Sequence, residues 1–124
     1  RSQDTLDGKS IQPEIVSVIH YINTHYQENI TLDAAAGLVH MSRYHFCRLF
    51  GSATGATFLE YLYNVRLSKV HQLLLDTRLP LSQIAEKCGF TSTAHLSRVF
   101  RDAYGVSPRE FRKSAAEKEP PEQQ

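Results

Sequence analysis

Two arginines fifty residues apart, Arg48 and Arg98, carry the most legible chemistry in this chain of 124 residues. Each stands two positions after an apolar residue, Phe46 or Leu96, inside a segment of helical periodicity. In the second segment Leu96, Val99, Phe100 and Ala103 fall at i, i+3, i+4 and i+7, one face of a helix. The opposite face carries Thr93, Ala94, Ser97, Arg98 and Arg101, which are short, polar or basic. In the first segment Phe46, Leu49, Phe50 and Ala53 form the apolar face, and Tyr44, His45, Cys47 and Arg48 the other. A face of this kind can enter a DNA major groove, where an arginine offers two donors to guanine. A surface ion pair is the ordinary alternative for either arginine alone. Their matching positions in a repeat favour the nucleic-acid reading.

The repeat is explicit. Ser92, Arg98, Phe100, Gly105, Ser107, Glu110 and Phe111 correspond, fifty residues back, to Ser42, Arg48, Phe50, Gly55, Thr57, Glu60 and Tyr61. Before the second helix the offset is 49, pairing Ala85 with Ala36, so the second copy holds one extra turn residue. Small Ala85 lets two helices cross closely, and Gly89 can take the positive φ that a short turn between them needs. Both copies read as helix-turn-helix units, although the first has His40 where the second has Gly89. Two copies are too few for a solenoid.

The remaining elements must hold these units. Pro13 suits the first turn of a helix that Ile15, Val18, Ile19, Ile22 and Tyr26 continue toward Glu28. Thr31 caps a short second helix through His40, with Asp33 favoured by the dipole in its first turn. Ser42 and Ser92 cap the two outward-facing helices, and Gly55 ends the first. Thr57-Phe58-Leu59-Glu60 and Ser107-Pro108-Arg109-Glu110 are capping boxes. The helix starting at the first box runs to about Asp76 without Gly or Pro, and its length of ~28 Å approaches one turn of B-DNA. The expected fold is all-α, with about seven helices: two helix-turn-helix subdomains joined by a long central helix. The expected boundaries are a linker remnant over 1–12, a first unit at 31–55, the central helix at 57–76, a second unit at 81–105, a closing helix at 107–113 and a disordered tail over 114–124.

Together, IAEKCGF and LSRVFRDAYGVSPREFR resemble the DNA-binding domain of the AraC/XylS family of bacterial transcription regulators, over residues 13–113. By motif position the resemblance implies base reading by Tyr44, Cys47 and Arg48 in the first unit and Thr93, Ala94, Ser97 and Arg98 in the second. It implies a cytoplasmic, nucleoid-associated activator that contacts RNA polymerase, with its effector and dimerisation domain outside this chain. Phosphate contacts are expected from helix N-termini and flanking polar groups, namely Ser42, Arg43, His45, Ser92, His95 and Arg101. Arg66 and Lys69 on the central helix are open between phosphate contact and salt bridge. The expected partner is double-stranded DNA, an asymmetric site of about twenty base pairs spanning two grooves.

Composition agrees. The net charge of +1 divides into eleven Lys/Arg against five Asp/Glu between Arg43 and Lys113, and three against eight elsewhere. A central segment at +6 between acidic ends is the footprint of a phosphate-binding surface. Two cysteines 41 residues apart make neither a disulfide framework nor a metal-ligand spacing, and a reducing compartment fits. No apolar run is long enough to span a membrane. The chain begins with Arg1 rather than Met and reads as a fragment. Six histidines, two cysteines and several carboxylates form no H-E-x-x-H, C-x-x-C or nucleophile elbow, so no catalytic residue, metal or cofactor is expected. A DNA-repair alkyltransferase joins a similar module to a second domain not found here. A protein-docking module fits poorly, because the residues assigned to the two outer faces include no acid.

Overall fold

Capping residues fix where the helices begin. The computed structural model describes residues 11–117 and the backbone of residues 5–6 and 9–10. Its helices are α1 (Pro13–His25), α2 (Leu32–Leu38), α3 (Arg43–Thr54), α4 (Phe58–Asp76), α5 (Leu81–Lys87), α6 (Thr93–Tyr104) and α7 (Pro108–Glu117). Proline occupies the first helical position of α1, and the Thr31 hydroxyl accepts from the Ala34 amide at 3.0 Å at the start of α2. Both capping boxes close. The Glu60 amide donates to Thr57 Oγ1 at 3.0 Å while the Thr57 amide donates to Glu60 Oε1 at 2.9 Å. Ser107 and Glu110 repeat this at 3.1 and 2.9 Å. The backbone and side-chain hydrogen bonds from Ser107 hold the Glu110 carboxyl below its ordinary pKa.

Four boundaries differ from expectation, the first being the end of α2, which stops at Leu38 because His40 takes the left-handed conformation of the turn. Within residues 1–12, β1 (Thr5–Leu6) and β2 (Lys9–Ser10) pair antiparallel, Thr5 opposite Ser10. The dipeptide between them in the sequence, Asp7-Gly8, is a favoured hairpin connection; residues 1–4 and 7–8 lie outside the described residues. Helix α1 stops at His25, where Thr24 turns its hydroxyl onto the His20 carbonyl and the Glu28 amide closes a turn on the His25 carbonyl. At the other end α7 continues past residue 113 to Glu117, because Ala115 and Ala116 are strong helix formers with no glycine or proline among them. The rest of the expected tail, 118–124, lies outside the described residues.

The chain divides inside α4 into two units, Arg1–Val65 and Arg66–Gln124. In the first, Ile15, Val18 and Ile22 of α1 meet Ala35, Ala36, Phe46, Phe50, Phe58 and Leu62 in one buried cluster. Its aromatic centre is compact: Phe46, Phe50 and Phe58 lie with ring centroids 5.5–6.0 Å apart, and Tyr61 meets Phe50 edge-on at 5.5 Å. In the second unit Leu67, Val70, Leu74, Ile84, Ala85, Cys88, Leu96 and Phe100 are buried. Ala103, expected to complete the inner face of α6, is exposed; the Tyr104 ring, one position on, takes the contact with Phe100 at 4.5 Å.

One residue that the pattern gave no reason to single out closes the second unit. Arg112 of α7 donates to the carbonyls of Leu73, Leu74, Thr77 and Leu79 at 2.8–3.4 Å. Those of Leu74, Thr77 and Leu79 lie at or beyond the last turn of α4, where no continuing helix satisfies them, while that of Leu73 also accepts from the Thr77 amide and hydroxyl. A planar guanidinium reaches all four at once, and its charge complements the negative end of the helix. Removing it should destabilise the second unit by about 2–3 kcal/mol, the scale of hydrogen bonds to a charged donor. Urea denaturation of Arg112→Ala checks this, and Arg112→Lys should recover less than half, since an ammonium cannot span the four acceptors.

Candidate nucleic-acid interface

Both units reverse direction between their paired helices by the same backbone device. After α2 the Met41 amide donates to the Ala36 carbonyl at 3.0 Å and the His40 amide to the Gly37 carbonyl at 3.2 Å. After α5 the Phe90 amide donates to Ala85 at 2.9 Å and the Gly89 amide to Glu86 at 3.4 Å. This paired six-to-one and five-to-two closure needs a left-handed residue. His40 supplies it at φ 58° and Gly89 at φ 89°. The first turn therefore keeps its geometry although its residue carries a Cβ. The extra residue of the second copy is Thr91, whose hydroxyl lies 3.2 Å from His95 Nδ1. The chain absorbs it at the cap, where Ser92 has φ −162° against −66° for Ser42.

The turns deliver α3 and α6, two helices of equal length with the same ends. The Ser42 and Ser92 hydroxyls accept from the His45 and His95 amides at 3.1 and 3.0 Å. Gly55 and Gly105 stop them at φ 78° and 82°. Phe46 and Phe50 face inward on α3, as Leu96 and Phe100 do on α6, all fully buried. The opposite faces are left to solvent. Tyr44 is 73% exposed, Cys47 and Arg48 are exposed, and the Arg48 guanidinium lies 5.8 Å from the centre of the Tyr44 ring. On α6, Ala94, Arg98 and Arg101 are exposed, whereas Thr93, Ser97 and His95 are half-buried. Ser42, Arg43, His45 and Ser92 are exposed at the helix starts.

Two cations are engaged within the fold. Arg43 forms a forked pair with Asp33 of α2, its Nε donating to Oδ1 at 2.9 Å and an Nη to Oδ2 at 3.0 Å. Arg66 is buried within the second unit, where its charge adds to burial and Arg98 in lowering the His95 pKa and opposes the burial that raises that of Cys88. A buried guanidinium there is a structural group of the core and not a surface phosphate contact; its burial follows from packing that no periodicity announces. Desolvation dominates at Cys88, pushing its thiol up to about 11 against the opposing effect of Lys69, Arg66 and Lys87. That thiol, buried and with its pKa raised, behaves as a small core group. Among the described residues no cluster of His, Cys, Asp or Glu could hold a metal ion, and no helix is long and apolar enough to cross a membrane.

A family model described as a helix-turn-helix domain matches residues 35–114, the span holding both capped outer-face helices. The chain belongs to the AraC/XylS family of helix-turn-helix DNA-binding domains. It is 33% identical over 112 residues to LumQ of Photobacterium leiognathi, a probable transcriptional regulator, covering 90% of this chain and 45% of LumQ. Among solved structures, the C-terminal domain of AraT, a response regulator from Geobacillus stearothermophilus, superposes with a TM-score of 0.81 at 30% identity, over 84% of this chain and 87% of that one. The DNA-binding domain of the global transcriptional factor AdpA, solved with a target DNA, gives a TM-score of 0.84 at 28% identity, over 89% of this chain and 99% of that one. The chain spans less than half the length of the full-length regulators it matches.

Two outcomes test how this AraC-type domain holds its helices. A side chain in the left-handed region costs about 1–2 kcal/mol relative to glycine, partly offset by glycine's greater unfolded-state entropy. Gly89→His should therefore destabilise the second unit by about 1 kcal/mol, while His40→Gly should leave the first unit as stable or slightly more so, both read by urea denaturation. The second outcome is acid sensitivity. Burial first, then the Arg98 and Arg66 charges, lower the His95 pKa from 6.5, so the folded chain binds its proton less readily than the unfolded one. The stability this contributes is full above pH 6.5 and drains as pH falls through the lowered value. Denaturation midpoints taken from pH 7 down to 5 should fall less steeply for His95→Gln than for the native chain.

Proposed function

We propose that this domain binds a specific double-stranded DNA sequence for a bacterial transcription regulator acting as an activator, with α3 and α6 entering successive major grooves. The observation that carries the reading is the duplication itself. Two helices of matched length and caps bury one face each and expose an arginine, Arg48 or Arg98, at the same place on the other. Tyr44, Cys47 and Arg48 read bases in one groove, and Thr93, Ala94, Ser97 and Arg98 in the next. Ser42, Arg43, His45, Ser92, His95 and Arg101 contact phosphates. The serine hydroxyls suit this, since a capping oxygen that accepts from an amide keeps its own proton to donate. The likeness to the AdpA domain, solved on its target DNA, supports the assignment. RNA polymerase is the proposed protein partner in a cytoplasmic setting, and effector binding and dimerisation belong to a domain outside this chain.

The first unit is the more stringent reader. Its outer face carries Tyr44, His45, Cys47 and Arg48, whereas the second offers short side chains beside Arg98. A bidentate arginine–guanine contact is worth about 1–3 kcal/mol of discrimination, and a single hydroxyl less. Selection from randomised duplexes, followed by footprinting, should return an asymmetric site of about twenty base pairs bound by one copy. Arg48→Ala should flatten base preference in one groove, and Ser97→Ala should change the profile less. A palindromic site needing two copies would refute the two-groove reading. If Arg48→Ala weakens all sequences equally, Arg48 is a phosphate contact.

A further inference from the structure

Arg43 opens α3, where an unpaired cation would be drawn to a DNA phosphate, yet its fork is occupied. Asp33, in the first turn of α2, takes donors from Nε and Nη2 on separate oxygens at 2.9 and 3.0 Å, and Nη2 also lies 2.9 Å from Oδ1. Both side chains are open to water, at 64% and 69% exposure, so the pair is accessible to a competing anion. The second unit lacks the arrangement. Its equivalent positions hold Ser82 and Thr93, neither acid nor base.

We propose that Asp33 is a built-in competitor for DNA phosphate, restraining the sequence-independent part of binding in the first unit alone. The inference rests on the DNA-binding reading above and deepens it. A carboxylate and a phosphate compete for the same planar fork, and Arg43 can meet one fully only by leaving the other. A phosphate arriving at Arg43 also meets the Asp33 charge beside it. Phosphate contacts position a protein on DNA and carry no base information, so weakening one lowers affinity for arbitrary sequence without touching Arg48. Asp33 thus leaves the first unit dependent on its base contacts, while the second holds no such forked pair at the matching positions, Ser82 and Thr93.

The test is anisotropy titration of a random-sequence duplex of about twenty-five base pairs at one low salt concentration. The proteins are the whole native chain, Asp33→Asn, Asp33→Ser, Arg43→Gln and the Asp33→Asn/Arg43→Gln double variant. Circular dichroism establishes that each is folded, and Asp33→Ser installs a residue the second unit already tolerates. Both single Asp33 variants should bind about two- to fivefold more tightly, the range set by exposed ion pairs. In the Arg43→Gln background the gain should fall to less than half. An equal gain in that background means Asp33 acts through its general field, and the proposal fails. Unchanged or weaker binding by the Asp33 variants also overturns it, showing that Asp33 is neutral or orients Arg43 toward DNA. If the native chain itself does not bind the duplex, the DNA-binding reading falls first and this one with it.

Discussion

The outer faces of α3 and α6 are held in place by what their inner faces bury. Phe46 with Phe50, and Leu96 with Phe100, are one helical turn apart, and all four are completely inaccessible. Each contributes about 1.5–3 kcal/mol on leaving water, enough to fix the rotation of its helix about its own axis. Once that rotation is set, positions 44, 47 and 48 and positions 94, 98 and 101 turn to solvent, because 3.6 residues per turn place them opposite the buried pairs. Ala35, Ala36 and Ala85 on the partner helices are the complement, small enough for close approach and themselves buried. Selection on those outward residues can then proceed without disturbing the core that orients them.

The two units keep this plan and differ in how they are fastened. The capping serines, the left-handed glycines after α3 and α6, and the capping boxes recur almost atom for atom. The fastenings do not. The first unit ties α2 to α3 through Asp33 and Arg43, while in the second Arg112 gathers four carbonyls at the end of α4. Position 62, the counterpart of Arg112, is a buried leucine in the first core. A duplicated scaffold has been locked twice by unrelated means, with the outer faces alike in place and unlike in content.

Much of this was legible in the chain because it rests on local rules. Helix caps, the 3.6-residue period and the repeat are written in residues a few positions apart, and they placed α3, α4 and α6, with Phe46 and Phe50 and Leu96 and Phe100 on buried faces of α3 and α6. Ala103 misled because an i+7 residue near a helix end lies where a neighbouring ring, here Tyr104, can take its contact. Arg112, Arg66 and the Asp33–Arg43 pair were illegible for another reason. Arg112 reaches 33 to 39 residues back along the chain, and Arg43 reaches ten. No periodicity reports a partner at such distances, so a lysine or arginine in the sequence is the same symbol whether it meets solvent, a carboxylate or the end of a helix. His40 shows the converse case: its residue type argued against a left-handed turn, and the hydrogen bonds of the turn outweighed it.

Arg43 and Arg48 show how one residue type is held in two states on a single helix. Asp33 engages the edge of the Arg43 guanidinium, the same donors a phosphate or guanine would use. Tyr44 instead attracts Arg48 through its ring, at 5.8 Å, an interaction of about 0.5–1 kcal/mol at an exposed site that consumes no N–H donor. Arg48 is therefore partly ordered, losing less freedom when a base is met, with its hydrogen-bonding fork still available. Arg43 must break a pair first. On one exposed surface the geometry thus favours the arginine assigned to bases over the one assigned to phosphate, an ordering that charge alone could not produce.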